Sequence, residues 1–406
     1  MTALIIFTLS YAGIALGKIP GLTIDRTGIA LLGAIAMVVF GGISPESAFH
    51  AIDLPTILLL YSLMILSAQF RLGGFYTWIA RKIIPYSSRP NLFLLVTMAA
   101  SAILSAILAN DIVCFAFTPI LAGALIKARL NPLPYLLGLA VSSNIGSAAT
   151  IIGNPQNMLI GQTGNLDFWE FFLWCGPPSL LSLLFSYFII LWLYRGQVHL
   201  AGEHATLPDN TIEQPFNSWQ TTKGLIALMV LLFLFLLPFP REISAIGIAG
   251  VLLCSRKMKT RDITSLIDWH LISLFCALFI LIHGLSESGY LHAATEQLKI
   301  LGVNLHSLPL LTGVSVVLSN VFSNVPAVML LAGALDPQQP LQWYTLSLAS
   351  TFAGNLFLLG SIANLIVVEQ ANAAGIRLTF LQHARVGIPV TAVSLLILLF
   401  WIAIVN

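Results

Sequence analysis

The chain has 406 residues, of which 58% are apolar and only 8% are Asp, Glu, Lys or Arg, with a formal net charge of +2. A soluble domain carries about 25% charged residues, so a soluble enzyme, a nucleic-acid binder and a disordered scaffold are all excluded, and the balance of charge offers no general attraction to polyanions. The sequence is that of a polytopic membrane protein. Its four cysteines, Cys114, Cys175, Cys254 and Cys276, lie in apolar runs without paired spacing and read as small buried side chains.

In chain order, runs long and apolar enough for membrane helices fall near 2–17, 27–41, 54–70, 134–161 and 172–194, then near 223–238, 242–255, 269–285, 343–370 and 386–404. Met1 to Leu16 has no basic leader and no small-residue cleavage site, so a removed signal peptide is not expected. The hydrophilic stretch 195–222, with Pro208 and Pro215, reads as a cytoplasmic linker between a first repeat (1–194) and a second (223–406). With ten crossings and both termini outside, 16 of the 18 basic residues fall on the cytoplasmic side; Arg241 and Lys299 are the exceptions. Trp169, Trp174 and Trp343 are expected at the outer interface, Trp192 and Trp269 at the inner one.

The two sets share polar landmarks. Asp53 and Gly74 match Asp268 and Gly289 at an offset of 215, Asn110 matches Asn324 at 214, and Gly153 and Asn157 match Gly360 and Asn364 at 207. Five crossings per copy is an odd number, so the second copy inserts upside down. Inverted repeats of this kind mark secondary transporters, although a duplicated receptor or membrane enzyme would show them too. The expected fold is therefore all-α integral membrane, with two inverted-topology repeats of five transmembrane helices, each with a re-entrant hairpin and a broken helix.

Two apolar stretches, 91–126 and 307–335, are interrupted by Asn110-Asp111 and by Ser319, Asn320, Ser323 and Asn324. The arm Val325–Leu335 has eleven residues, about half of a ~30 Å core, and reads as part of a re-entrant hairpin. Its twin is expected to do the same from the opposite face, and two short complete spans would give the same loop parity. The long run 134–161 is broken at Gly153-Asn154-Pro155-Gln156-Asn157, and 343–370 at Gly360-Ser361 ahead of Asn364. Pro155 removes a backbone donor, and Asn157 and Asn364 stand beside the breaks in support. Unwound backbone at membrane depth must face protein or a watery cavity. Four such elements converging would offer helix N-terminal amides to an anion and free carbonyls to a cation. Polar cross-linking between helices is the plainer reading of the same residues.

Residues 142–160, SSNIGSAATIIGNPQNMLI, resemble the broken-helix motif of the ion transporter superfamily, and Ala109-Asn110-Asp111 and Ser323-Asn324-Val325 occupy the place of its paired hairpin-tip motifs. Ala-Asn-Asp followed by Thr118-Pro119 is most similar to the branch holding arsenite and sodium/proton antiporters and citrate-type anion permeases. The resemblance implies an elevator-type carrier, usually a homodimer, with no cofactor beyond a coupling sodium ion or proton. It implies cation sites at Ser105, Asn110 and Gly153 and at Ser319, Asn324 and Gly360, where sodium would be the metal. It places substrate against Asn110, Asp111, Asn154, Ser323, Asn324 and Ser361.

Asp111 is the only acidic residue expected deep in the membrane, where it would accept a coupling proton, help hold a cation, or simply be pinned by hairpin amides. The leading expectation is a carrier of a small anionic solute, a carboxylate or oxyanion, in a bacterial cytoplasmic membrane. A cation/proton antiporter or a metalloid efflux carrier on the same fold suits Asp111 better; a channel or intramembrane enzyme is the remaining class.

Overall fold

The computed structural model describes residues 1–17, 21, 23–196, 215–290, 297 and 304–405, and every regular element among them is helical. The first half holds α1 (Thr2–Leu16), α2 (Arg26–Phe40), α3 (Pro45–His50), α4 (Leu54–Leu72), α5 (Phe75–Ile83), α6 (Pro90–Ile107), α7 (Asn110–Lys127), α8 (Pro132–Ser147), α9 (Pro155–Thr163) and α10 (Phe168–Leu193). The second holds α11 (Ser218–Leu234), α12 (Arg241–Leu253), α13 (Thr260–Thr264), α14 (Trp269–Glu287), α15 (Leu308–Phe322), α16 (Asn324–Ala332), α17 (Pro340–Ala353), α18 (Ile362–Ala373) and α19 (Phe380–Val405).

The polar landmarks turn out to be helix punctuation. Asp53 and Asp268 are the N-caps of α4 and α14, accepting from Thr56 N at 2.8 Å and Leu271 N at 2.9 Å. Gly74 and Gly289 follow the same two helices at φ +70° and +76°, the left-handed turn that stops a helix where a side chain would be strained.

Packing is exchanged between the halves. Helix α4 lies against α12 while α14 lies against α2, α7 lies against α18 while α16 lies against α9, and α10 pairs with α19. Helices α1, α2 and α14, and likewise α4, α11 and α12, form groups flanking a central set built from α6–α10 and α15–α19. The seams between them run through α4 with α7 and α9, α14 with α16, and α1 with α15.

Among the described residues six helices are long and apolar enough to cross a membrane: α4, α6, α7, α10, α14 and α19. Both arms of the first hairpin are on that list, at 18 residues each, or about 27 Å. Length therefore does not make this hairpin re-entrant; the second is shorter, with arms of 15 and 9 residues. Both long runs break as expected, between α8 and α9 and between α17 and α18.

Three expectations need correction. The linker boundary moves, because α11 starts at Ser218, and the residues before it dock on the end of α4: Asn217 N donates to Gly73 O at 2.9 Å and Phe216 stacks on Trp78 at 5.7 Å. Positions 197–214 of the linker, and Lys18 and Lys299 among the basic residues, lie outside the described residues. Trp343 and Trp174 are buried rather than belt residues, and the Trp343 indole N–H is satisfied inside the protein by Asp336 O at 3.0 Å. Cys254 is exposed at the end of α12 and Cys276 half-buried, leaving Cys114 and Cys175 as buried thiols. Arg241, an exception in the charge partition, has a local partner: its Nη2 donates to Gly161 O at 3.0 Å in the last turn of α9.

Candidate functional site

The two helix breaks are the same structure built twice. At the first, the Asn157 amide donates to Ser147 O at 3.2 Å and Thr150 O at 3.0 Å. At the second, the Asn364 amide donates to Gly354 O at 2.8 Å and Phe357 O at 3.5 Å. Gly153 N donates to Thr150 O at 3.4 Å, and Gly360 N to Phe357 O at 3.0 Å. Donors and acceptors all correspond at the single offset of 207. Each asparagine thus takes up carbonyls that lose their helical donors where the chain unwinds, which is what buried backbone requires. Gly153 and Gly360 sit in the same fold of chain: an added Cβ on the first would run into Ser147 backbone, and on the second would lie 3.2 Å from Gly354 O.

The hairpin tips reach these breaks. Asn110, first residue of α7, donates its backbone N–H to Gly153 O at 2.9 Å. Ser105 Oγ and Ser143 Oγ share a hydrogen bond of 2.9 Å, and Ser143 Oγ lies 3.4 Å from Asn110 O. In the second half the Asn324 amide, with its nitrogen assigned to the side facing acceptors, donates to Gly360 O at 2.9 Å and Ser350 O at 3.0 Å. Ser319 is fully buried on α15, and its hydroxyl has no partner among the described residues. The two implied triads are therefore assembled, the first completely and the second through Asn324 and Gly360.

A link between the halves was missed in the sequence. Asn144, at the end of α8, accepts from Asn110 Nδ2 at 3.1 Å and from Ser361 Oγ at 3.0 Å. It donates to Asn355 Oδ1 at 2.8 Å and Asn364 Oδ1 at 3.0 Å. Asn144 and Asn355 differ by 211, between the offsets of 214 and 207 that flank them, and that spacing was the available signal. His383 on α19 was also missed; it is buried and pairs through Nε2 with Asn355 O at 3.1 Å.

Of the implied substrate residues, Asn110, Ser361 and Asn324 meet at this centre; a Cβ on Gly354 would touch both the Asn324 amide and Ser361. Asn154 is spent on structure: it caps α9, accepting from Asn157 N at 2.8 Å, and donates to Ser147 Oγ at 2.9 Å. Pro155 is the first residue of α9, where its missing N–H costs nothing. Ser323 alone joins α15 to α16, at φ +78° and ψ 162°, a region suited to glycine. Asp111 is not brought to the amide network; it lines a separate cavity between the first hairpin tip and α4 and α14.

Chemically, the centre is a buried set of amides, hydroxyls and freed carbonyls. Asn110 Oδ1, Ser319 Oγ, Asn320 Oδ1 and Asn355 Nδ2 are buried there with no partner among the described residues. Three of these are bare oxygens, ligands of the type that hard cations take.

A family model described as citrate transporter matches residues 3–353. The inner membrane protein YbiR of Escherichia coli is 30% identical over 85% of this chain and 87% of its own. The silicon efflux transporter LSI3 of rice is 27% identical over 93% and 92%. The crystal structure of the Alcanivorax borkumensis YdaH transporter has the same fold, with a TM-score of 0.55 at 14% identity, covering 98% of this chain and 95% of that one. These likenesses fit the resemblance to the ion transporter superfamily, and they are to transporters rather than enzymes. The chain belongs to the citrate transporter family of integral membrane transporters.

Proposed function

We propose that this protein is a secondary active carrier of a small anionic solute, a carboxylate or oxyanion, coupled to sodium or protons in a bacterial inner membrane. The observation that carries the reading is the meeting of the first hairpin tip and the two unwound helices at Asn144 and Asn355, with the second tip on Gly360 and bare oxygens beside both breaks. Residues at the tips hold the solute, and Ser105, Asn110 and Gly153 with Ser319, Asn324 and Gly360 hold sodium. Donors and acceptors related by one offset support two inverted repeats, and the seams along α4, α14 and α1 support sliding of the central set in an elevator motion; the carrier works as a homodimer in this proposal.

Reconstitution in proteoliposomes tests this. Labelled citrate and oxyanions should accumulate against their gradients when a sodium or proton gradient is imposed, and should exchange in counterflow without one. Flux that runs only downhill and ignores both gradients would refute the reading in favour of a channel. A metalloid or cation exchanger remains the second reading because Asp111 puts a carboxylate at the hairpin tip, where it repels an anion, and because one relative is named for silicon efflux. Efflux of silicic acid or sodium driven by protons, with no anion uptake, would select it.

A further inference from the structure

A cavity separate from the amide network lies between the first hairpin tip and the flanking helices, lined by Asp111, Asp268, Met64, Pro155 and Met158 among others. Asp111 comes from the first turn of α7 and Asp268 from the N-cap of α14. Asp111 is buried, at 9% exposure, and no N–H or O–H among the described residues donates to its carboxylate. Asp268 uses Oδ1 to cap α14 through Leu271 N, and its other oxygen makes no hydrogen bond among the described residues. A buried carboxylate without a donor, as at Asp111, is costly, and the exposed Asp268 adds a like charge on the same cavity; a positive charge between them removes both penalties.

Size selects the ligand. The cavity has a volume of about 20 Å³, room for a water or a small cation and not for an organic acid. The other linings supply no opposite charge: α4 brings Leu60 and Met64, α9 brings Pro155 and Met158, and α14 adds Leu271. Cys114 lies one turn along α7 from Asp111, and the Arg71 guanidinium is occupied over the Phe115 ring at 4.4 Å.

We infer that Asp111 and Asp268 form a second small-cation site, holding a proton or a sodium ion across the seam between the hairpin tip and α14. Because the two carboxylates belong to opposite sides of that seam, a cation shared between them ties the central set to its flank, and its release frees the set to move. This coupling role rests on the carrier reading above; the binding itself does not.

The test is thermal unfolding of purified protein, followed by tryptophan fluorescence, in choline or sodium chloride at alkaline pH and in choline at mildly acidic pH. Sodium as occupant stabilises the protein in the sodium titration; a proton as occupant stabilises it at acidic pH with no sodium response. Asp268→Ser keeps an N-cap oxygen and removes the charge, and Asp111→Asn keeps the shape. Each should weaken the response that wild type shows by about tenfold or more in apparent affinity. A wild type that responds in neither arm, or an Asp268→Ser protein with an undiminished response, overturns the inference. Should Asp268→Ser fail to fold, Asp268→Asn, which also caps, takes its place under the same criteria. Unfolding reports binding without transport, so absence of gradient-driven flux would sink the carrier reading while leaving this readout standing.

Discussion

Replacing Asn157 by alanine strips the first helix break of its side-chain donor, and the consequence can be worked through bond by bond. Ser147 O, at the end of α8, loses the Asn157 amide at 3.2 Å and is left buried without a donor, which costs about 1–3 kcal/mol. Thr150 O loses a bond of 3.0 Å but keeps the longer one from Gly153 N at 3.4 Å, a loss of about 1 kcal/mol. Ser347 Oγ, which donates to Asn157 Oδ1 at 2.8 Å, can rotate to another acceptor and adds little. The expected destabilisation is about 2–4 kcal/mol. Asn364→Ala should cost at least as much, because it removes the matching bonds to Gly354 O and Phe357 O and also one of the two acceptors of Asn144 Nδ2. Equilibrium unfolding in mixed micelles measures both. Asn157→Asp should be worse than alanine, since it turns a carboxylate toward two carbonyls. Either alanine variant unfolding within about 0.5 kcal/mol of wild type, the range of ordinary surface changes, would refute the idea that these amides hold the breaks open.

Further outcomes follow from the same geometry. Gly153→Ala should destabilise by about 1–3 kcal/mol and more than Gly360→Ala, because the new methyl overlaps Ser147 backbone in the first case and is only crowded by Asn320 Oδ1 and Gly354, at 3.1–3.3 Å, in the second; melting temperatures of the two variants should differ in that order. Ser323→Gly should stabilise by about 1 kcal/mol, the net of strain relief and added unfolded-state freedom, whereas Ser323→Ala should gain nothing in the same melts. Asn144→Ala removes the contact that joins Asn110, Ser361, Asn355 and Asn364, so proteoliposome flux should collapse while the purified variant still runs as a folded species on size exclusion. Arg241→Gln should loosen the end of α9 and cost about 1 kcal/mol in unfolding, through loss of its charged bond to Gly161 O.

How much of this was legible beforehand follows from which interactions are local. An apolar run declares a membrane helix, and a Gly-Asn-Pro or Gly-Ser interruption inside one declares unwound chain, because the cost of freed backbone in hydrocarbon is paid residue by residue. Asp53 and Asp268, Gly74 and Gly289, Asn157 and Asn364 were visible as recurring landmarks for that reason: each acts on backbone within a turn or a short loop of itself. Composition alone was enough to place the chain in a membrane, and the order of the breaks was enough to place its family.

Contacts between elements were not legible. Which face an α-helix turns inward is settled by its neighbours, so Trp343 and Trp174 read as belt residues yet lie inside the bundle, and the linker end at Asn217 read as exposed yet docks on α4. The same cause hid Asn144 and Asn355, which matter only because α8 and the second break come together from opposite halves of the chain. Asp111 could be recognised as unusual from its depth, but whether it joined the amides or lined a cavity with Asp268 was decided by the packing of α7 against α4 and by the arrival of α14 on the same cavity, more than a hundred residues along the chain.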